Sequence, residues 1–474
     1  MAEMMDRIGV NGVPSEVTLT VEGRISWKDS AGIEKCLVIE KEVLGFKDEG
    51  GGGMWRIRVC ALVIGEKERE KKRIRKDFVL KFEGEDVMRV WLRKLRDHLD
   101  SLGRPKRLIV FLNPFGGKKK GQKIFNDKVK PLLDAASISY TLKETRHKLH
   151  GQELAHSMNL FDYDGVLCIS GDGLLVEVIN GLLQRKDWVS AIKMPLGIVP
   201  AGTGNGMIKS LLDSVGESCT VYNAVFMVIR GHKRKLDVAT ISQGHTLFFS
   251  VLMLCWGLIA DIDIESEKLR WMGSMRLNIY SLIRAIKLRK YNGVISFIPA
   301  RGYESYGEPT QLGSTSNSIP KSGEEIGYRG PTISSQNNCE WRSIKGPFIS
   351  IWLHNVRWAS TDTLAAPDAK FSDGCYDLIV IKDGSRYDLL TAMGGMSDGS
   401  YVKLQHVLYL KVTAFRLEPG NQVEEPENGG IIDSDGEVLT RGKGTYLYGK
   451  QDDIMDYSSI EMQVDEGLAT IFSP

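Results

Sequence analysis

The 474-residue sequence predicts an α/β domain, a parallel sheet with flanking helices, followed by a mainly-β sandwich domain and preceded by a small β-rich module. Three observations predict it. Strand–loop–helix units recur three times beyond residue 106, and their strand runs are wholly apolar, as in a sheet covered on both faces. From Lys235 onward strand follows strand with few helices, which marks a second, β-dominated unit. Before Gly103, short strands end in one amphipathic helix. The expected divisions are 1–103, 104–235 and 236–474, in keeping with about 100–200 residues per domain.

In the first unit, Val17–Ile25, Glu34–Ile39, Trp55–Ile64 and Phe78–Phe82 are β-branched or aromatic runs separated by turns such as Gly50–Gly53. Val87, Val90, Trp91 and Leu95 then recur at helical spacing and predict a helix over Glu85–Leu102. Strands capped by one helix with a buried tryptophan resemble a pleckstrin-homology-type module. The basic run Lys67–Lys76 belongs in a strand-connecting loop. It reads as a solvated hairpin or as a patch for anionic lipid, at ~1 kcal/mol per basic residue near such a surface.

The three α/β units each place a glycine-rich loop after a strand. Leu108–Leu112 leads into Asn113-Pro114-Phe115-Gly116-Gly117 and Lys118–Lys120, then a helix over Gln122–Ala136. Gly165–Ile169 leads into Ser170-Gly171-Asp172-Gly173 and a helix over Leu174–Gln184. Leu196–Val199 leads into Gly202-Thr203-Gly204-Asn205-Gly206 and a helix from Met207. In parallel sheets, ligands bind at the loops leaving the carboxyl ends of the strands. Glycine lets backbone N–H groups approach an anion, and a helix N-terminus favours negative charge. Gly116 and Gly121 have P-loop spacing, but Gln122-Lys123 stands where Lys-Ser/Thr is required. Either anion loop alone also reads as a tight turn; two at one sheet edge read as a phosphate cradle. Asp172 adds a carboxylate, either to cap the next helix or to accept the proton of a hydroxyl attacking a γ-phosphate.

The third unit is expected to hold strands at Leu236–Ile241, Thr246–Leu254, Gly293–Ile298, Phe348–Leu353, Leu378–Ile381 and Leu408–Leu417. Arg301–Lys345, rich in Ser, Gly, Pro and Asn, is expected to be a disordered insertion. The longest apolar run, Leu247–Ala260, falls short of the ~20 residues of a membrane span and reads as a buried strand followed by a tight turn.

Composition narrows the function. Lys+Arg 62 against Asp+Glu 60 gives a net charge of +2, which argues against a dedicated nucleic-acid binder. Seven scattered cysteines without a C-x-x-C pair fit reduced thiols and give no zinc site. Met1–Pro14 lacks a signal-peptide pattern, so a cytoplasmic location is expected.

The set Asn113–Gly117, Ser170–Gly173 with Glu177 and Asn180-Gly181, and Gly202–Gly206 resembles the diacylglycerol-kinase catalytic family. The stretch Trp256–Asp263, continuing through Glu265–Arg270, is similar to the sphingosine kinases, and the insertion and N-terminal extension suggest a plant-type member. The resemblance spans about Lys106–Asn292 and Phe348–Thr440.

It implies an ATP- and Mg²⁺-dependent kinase for the primary hydroxyl of free sphingoid bases, acting peripherally at a membrane surface. Asp172 matches the catalytic aspartate. Asn113, Gly116, Gly117, Thr145, Ser170, Gly171, Gly173, Glu177, Gly202, Thr203, Gly204, Asn205, Asp435, Gly436 and Glu437 fall where the family contacts ATP. Arg270 and Arg276 match arginines that reach its phosphates, as bidentate guanidinium groups suit. Asp263, with Glu267, matches the carboxylate that meets the sphingoid ammonium. Phe115 departs from the pattern, since relatives often carry arginine there; the following lysines would have to compensate. No protein ligand for the metal ion is implied. The lipid tail needs an enclosing wall, for which the candidates are the 247–260 run, a helix over Leu277–Leu288, and Leu389-Leu390 with Met393 and Met396; each also reads as ordinary core. A ceramide or diacylglycerol kinase of the same fold, or a lipid-binding scaffold without catalysis, are the alternatives.

Overall fold

The structure, a computed structural model, describes residues 3–51, 53–65, 71–117, 119–273, 275–311, 327–331, 340–445 and 453–474, without the side chain of Arg270. Strands β1 (Met4–Val10), β2 (Val13–Leu19), β3 (Arg24–Lys28), β4 (Glu34–Val38), β5 (Val43–Asp48), β6 (Trp55–Ile64) and β7 (Arg73–Phe82) form an antiparallel sheet in the order β4-β3-β2-β1-β7-β6-β5. Helix Glu85–Ser101 closes it, with Trp91 fully buried and donating its indole N–H to Asp6 at 2.7 Å. The run Val17–Ile25 is not one strand, because Gly23, at φ 76°, turns the chain between β2 and β3. Lys71 and Lys72 lead into β7; Lys67–Glu70 lies outside the described residues.

This module is bolted to the rest of the chain. Leu44, Cys60 and Leu62 belong to the main core rather than the module's own. The buried Arg73 guanidinium donates to Glu217 at 2.7 Å and to the carbonyls of Lys41 and Leu62, and stacks over Phe226. Arg104 donates to the carbonyls of Val43, Leu44 and Ile39.

In the second unit β8 (Arg107–Leu112), β9 (Ser139–Glu144), β10 (Gly165–Ser170) and β11 (Leu196–Pro200) run parallel in the order β9-β8-β10-β11. The interiors of β8, β10 and β11 are buried throughout, which accounts for their unbroken apolar runs. Half-buried β9 carries no such run. Because the strands are parallel, their three glycine loops emerge at one edge.

The rest of the chain supplies β12 (Lys233–Gln243), β13 (Thr246–Ser250), β14 (Met253–Gly257), β15 (Tyr291–Pro299), β16 (Glu308–Thr310), β17 (Trp341–Lys345), β18 (Ser350–His354), β19 (Tyr376–Ile381), β20 (Val407–Gln422), β21 (Ile431–Ser434), β22 (Glu437–Arg441) and β23 (Ile460–Phe472). One path runs β22-β21-β14-β18-β19-β20-β23-β11-β10-β8-β9. The C-terminal strand thus returns to the parallel sheet, pairing Ile471 with Leu196, and also pairs along β12. A division at 235/236 falls inside β12.

Two expectations are corrected. The run Leu247–Ala260 holds two strands and the start of a helix. The Asp435 carboxylate accepts the N–H groups of Val251, Leu252 and Met253, pulling the chain out of strand geometry between β13 and β14. Gly257, at φ 85°, then turns β14 into helix Leu258–Glu265; a side chain there would meet the Ile349 carbonyl at 2.6 Å. The stretch 301–345 is also not wholly without structure. It contributes β16 and β17, and Tyr328 donates to Asp465 at 2.6 Å between the rings of Trp188 and Phe249. Residues 312–326 and 332–339 lie outside the described ones. Among the described residues no helix is long and apolar enough to cross a membrane.

Candidate active site

The three glycine loops touch backbone to backbone. A Cβ on Gly202 would sit 2.3 Å from the Gly171 Cα, so neither the second nor the third loop can gain bulk there. Gly117, at φ 53°, would place a Cβ 2.7 Å from the Ala201 carbonyl, which locks the first loop onto the third. Asn205 closes the third loop: its side-chain oxygen accepts the Gly202 N–H at 3.1 Å and its amide donates to the Gly202 carbonyl at 3.0 Å. That amide is therefore spent on shaping the loop. The cradle surface is left to backbone, with Gly116 beside Asn113 and Ser170, and Gly204 beside the Asp172 carboxylate.

Asp172 is buried at the first position of helix Asp172–Leu183 but does not cap it. Its carboxylate instead accepts the N–H groups of Gly206 at 2.8 Å and Met207 at 3.1 Å, the start of helix Gly206–Asp213. The expected capping of the helix that follows Asp172 is therefore not found; the carboxylate holds the start of the third loop's helix instead. Burial pushes its carboxyl above the ordinary aspartate value, against the pull of those backbone donors.

The remaining nucleotide candidates each have contacts of their own. Thr145 is buried, with its N–H on the Leu112 carbonyl. The Asn113 side chain accepts the Phe115 N–H at 2.9 Å, while the Phe115 ring itself points to solvent. Glu177 accepts the Gly151 N–H at 2.8 Å, and burial raises its carboxyl; Glu437 and Lys148 act on it electrostatically. Lys148 pairs with Glu437 at 2.6 Å, so the β21–β22 turn, with Gly436 at φ 82°, faces the parallel-sheet edge. Nothing in the sequence singled out Lys148. Asp435 is committed to the three N–H groups of 251–253, its carboxyl pushed up to about 6 by burial. The β18 end also closes on the third loop: Trp358 takes the Ser210 hydroxyl through its N–H and Asp213 through its indole.

Arg276 stands with the acids rather than the cradle. Its guanidinium lies 2.7 Å from Glu267 and 3.6 Å from Asp263, and donates to the Asp263 carbonyl and the Ser266 hydroxyl. Burial raises the Asp263 carboxyl and Arg276 holds it down. Arg270 lies in the turn Ser266–Met272, its side chain outside the described residues. Among the described residues, His147, His150 and Glu153 bring possible metal-ligand atoms within 4.8 Å. His150 Nδ1, however, already accepts the Arg146 N–H.

A phosphate cradle on a parallel-sheet edge, a buried aspartate at its centre and a β-sandwich folded back over it define a lipid-kinase-type catalytic core. Residues 107–241 match the diacylglycerol kinase catalytic domain, and 341–446 the YegS C-terminal NAD kinase beta sandwich-like domain. A solved structure from Bacillus anthracis str. Sterne, provisionally described as a diacylglycerol kinase, shares the fold at a TM-score of 0.51 and 15% identity, over 78% of this chain and 96% of that one. Sphingosine kinase 2 of Arabidopsis thaliana is 53% identical over 98% of this chain and 96% of its own length; sphingosine kinase 1 of the same plant is 52% identical over 100% and 97%. Human sphingosine kinase 1 is 32% identical over 71% and 87%. The chain belongs to the sphingosine kinase family.

Proposed function

We propose that this chain transfers the γ-phosphoryl group of ATP to the primary hydroxyl of free sphingoid bases, giving their 1-phosphates. The observation that carries the reading is the convergence of three backbone-lined loops on the buried Asp172. The cradle fits a polyphosphate: its walls are N–H groups and glycines whose Cβ positions are needed as space. Asp172 is assigned as the general base that takes the hydroxyl proton as the oxygen attacks in line, and its raised carboxyl suits that task. Asn113, Thr145, Ser170, Glu177, Thr203 and Glu437 are assigned to the nucleotide. Gly116, Gly117, Gly171, Gly173, Gly202, Gly204 and Gly436 give it room, and Asn205 and Asp435 hold the loops that receive it. Mg²⁺ would be held by Glu177 and Glu437, whose carboxylates act on one another electrostatically, since this ion takes one or two carboxylates plus phosphate oxygens. Bound there, it would neutralise charge on the transferring phosphoryl group.

Asp263 and Glu267 are assigned to the substrate ammonium, which favours sphingoid bases over ceramide or diacylglycerol. The lipid is taken from a membrane surface. Trp271, 81% exposed, and Met275, Leu282 and Ile286 present apolar side chains to solvent on and before helix Met275–Ile286. Helix Arg386–Gly395 packs beside it with Tyr387 and Leu390 exposed. Such a patch beside the substrate acids suits an interfacial enzyme. Radiolabelled-ATP assays against sphingoid bases, ceramide and diacylglycerol test the reaction: transfer to sphingoid bases is expected, and transfer only to the amine-free lipids would refute it.

A further inference from the structure

Asp433 lies on β21 directly opposite Cys255 of β14 and is completely buried. One carboxylate oxygen has only the Cys255 thiol, 3.5 Å away; the other has no hydrogen-bond partner. Buried polar atoms in folded proteins are normally paired, so such an orphan asks for a ligand. The chain's path says which. β14 turns at Gly257 into helix Leu258–Glu265, whose second turn brings Asp263 back into electrostatic contact with both Cys255 and Asp433. Asp263 has a cation at hand in Arg276, whereas among the described residues the charges that act most strongly on Asp433 are the acids Asp263, Glu437 and Asp435.

We propose that Asp433 is the second acid of the amine pocket, holding the substrate ammonium jointly with Asp263 and selecting free sphingoid bases over N-acylated ones. The inference rests on the reaction proposed above. An ammonium carries three N–H donors that one carboxylate cannot serve alone. Without substrate, the fully buried Asp433 and the half-buried Asp263, which act on one another electrostatically, keep a proton on Asp433; burial and the neighbouring acids hold its carboxyl well above the usual carboxylate range. A protonated amine replaces that proton: the R–NH₃⁺ group pairs with the Asp433 carboxylate and one H⁺ leaves for solvent, no other bond changing. An N-acylated lipid brings one neutral N–H, which cannot displace it.

The test uses the full chain with Asp433→Asn, equal in size and unable to ionise. Expected are a sphinganine KM raised about tenfold, the loss of one hydrogen bond to a charged group, an unchanged ATP KM and an unchanged Tm. Titration calorimetry of wild type with a short-chain sphingoid base, in buffers of different ionisation enthalpy, should show release of about one proton at neutral pH, absent in the variant. An unaltered sphinganine KM, or proton release that persists in the variant, overturns the assignment. A matching rise in ATP KM or a large drop in Tm also overturns it, leaving Asp433 a structural role. A wild-type chain that phosphorylates diacylglycerol but no sphingoid base would overturn the reaction itself, a result distinct from any of these.

Discussion

The Gly206 N–H donates to the Asp172 carboxylate at 2.8 Å, so the proposed base and the third phosphate loop form one unit. Anything that moves the loop re-aims the base, and anything that neutralises the base loosens a helix terminus.

Asp172→Asn should therefore show two effects. Loss of the base is expected to lower kcat by about 10²–10⁴. Replacing an acceptor oxygen by an amide at the start of helix Gly206–Asp213 should lower stability by about 1 kcal/mol. In wild type, kcat should fall on the acid side as Asp172 takes up its proton. Because burial raises that carboxyl, the fall should begin above the ordinary aspartate value of 3.8. A pH profile of kcat and a thermal melt check both; an active variant would remove Asp172 from catalysis.

Gly202→Ala should fail through sterics alone. The new methyl would lie 2.3 Å from the Gly171 Cα and 2.5 Å from its nitrogen, where no flexible side chain can yield. The loops must part, so ATP KM should rise at least tenfold, the scale of a mispositioned site. Gly84→Ala, in the N-terminal module and outside the cradle, is the control, since its Cβ would meet nothing within 4 Å. Equal ATP KM values for the two variants would contradict the packing.

Much of this arrangement is legible in the sequence. β8, β10 and β11 announce themselves because burial on both faces demands unbroken apolar runs, and the glycine loops follow them. What stayed hidden depends on partners far along the chain. The 247–260 run looks like one strand until Asp435, nearly two hundred residues on, draws three N–H groups out of it. β9 is half-buried and polar, and β16 and β17 sit in a segment whose composition suggests no order. Arg276 matches a phosphate-binding arginine by position, yet its pairing with Asp263 and Glu267 follows from how the Ser266–Met272 turn folds back. Lys148 and Asp433 have no sequence signature, since their meaning lies in what they face.

The exposed apolar patch predicts a split between lipid presentations. Trp271→Glu with Leu282→Glu places charge on a face that should enter the lipid headgroup region, where each buried CH₂ contributes about 0.8 kcal/mol. Activity on vesicle-borne sphingoid base should fall severalfold, while activity on a short-chain, freely dissolved base should hold. Equal losses in both assays would assign the patch to folding instead.

Arg73→Ala should undo the attachment of the N-terminal module. Arg73 and Glu217 pair at 2.7 Å with side chains 5% and 12% exposed, so the loss leaves Glu217 with little solvent to replace its partner. Breaking such a pair costs about 3–5 kcal/mol. A lower Tm is expected, together with protease cleavage near residues 103–106 at temperatures where wild type resists. An unchanged melt would mean the interface carries little of the stability.

Arg276, 8% exposed, faces Asp263 and Glu267, whose side chains are 24% and 22% exposed. Arg276→Gln removes the positive charge and leaves the two acids facing each other, with about 3–5 kcal/mol lost at neutral pH. The sign of the pH dependence follows from Asp263. Burial already raises its carboxyl in the folded state, and Arg276 is the group that pulls it back down. Without the guanidinium the folded value climbs further from 3.8, so the folded chain binds a proton that the unfolded chain releases. Stability then decreases as pH rises through that window and recovers on acidification. Melting curves at pH 5 and pH 7.5 should therefore place the variant nearer to wild type at the lower pH. A deficit equal at both values, accompanied by a raised ATP KM, would instead place Arg276 on the nucleotide phosphates.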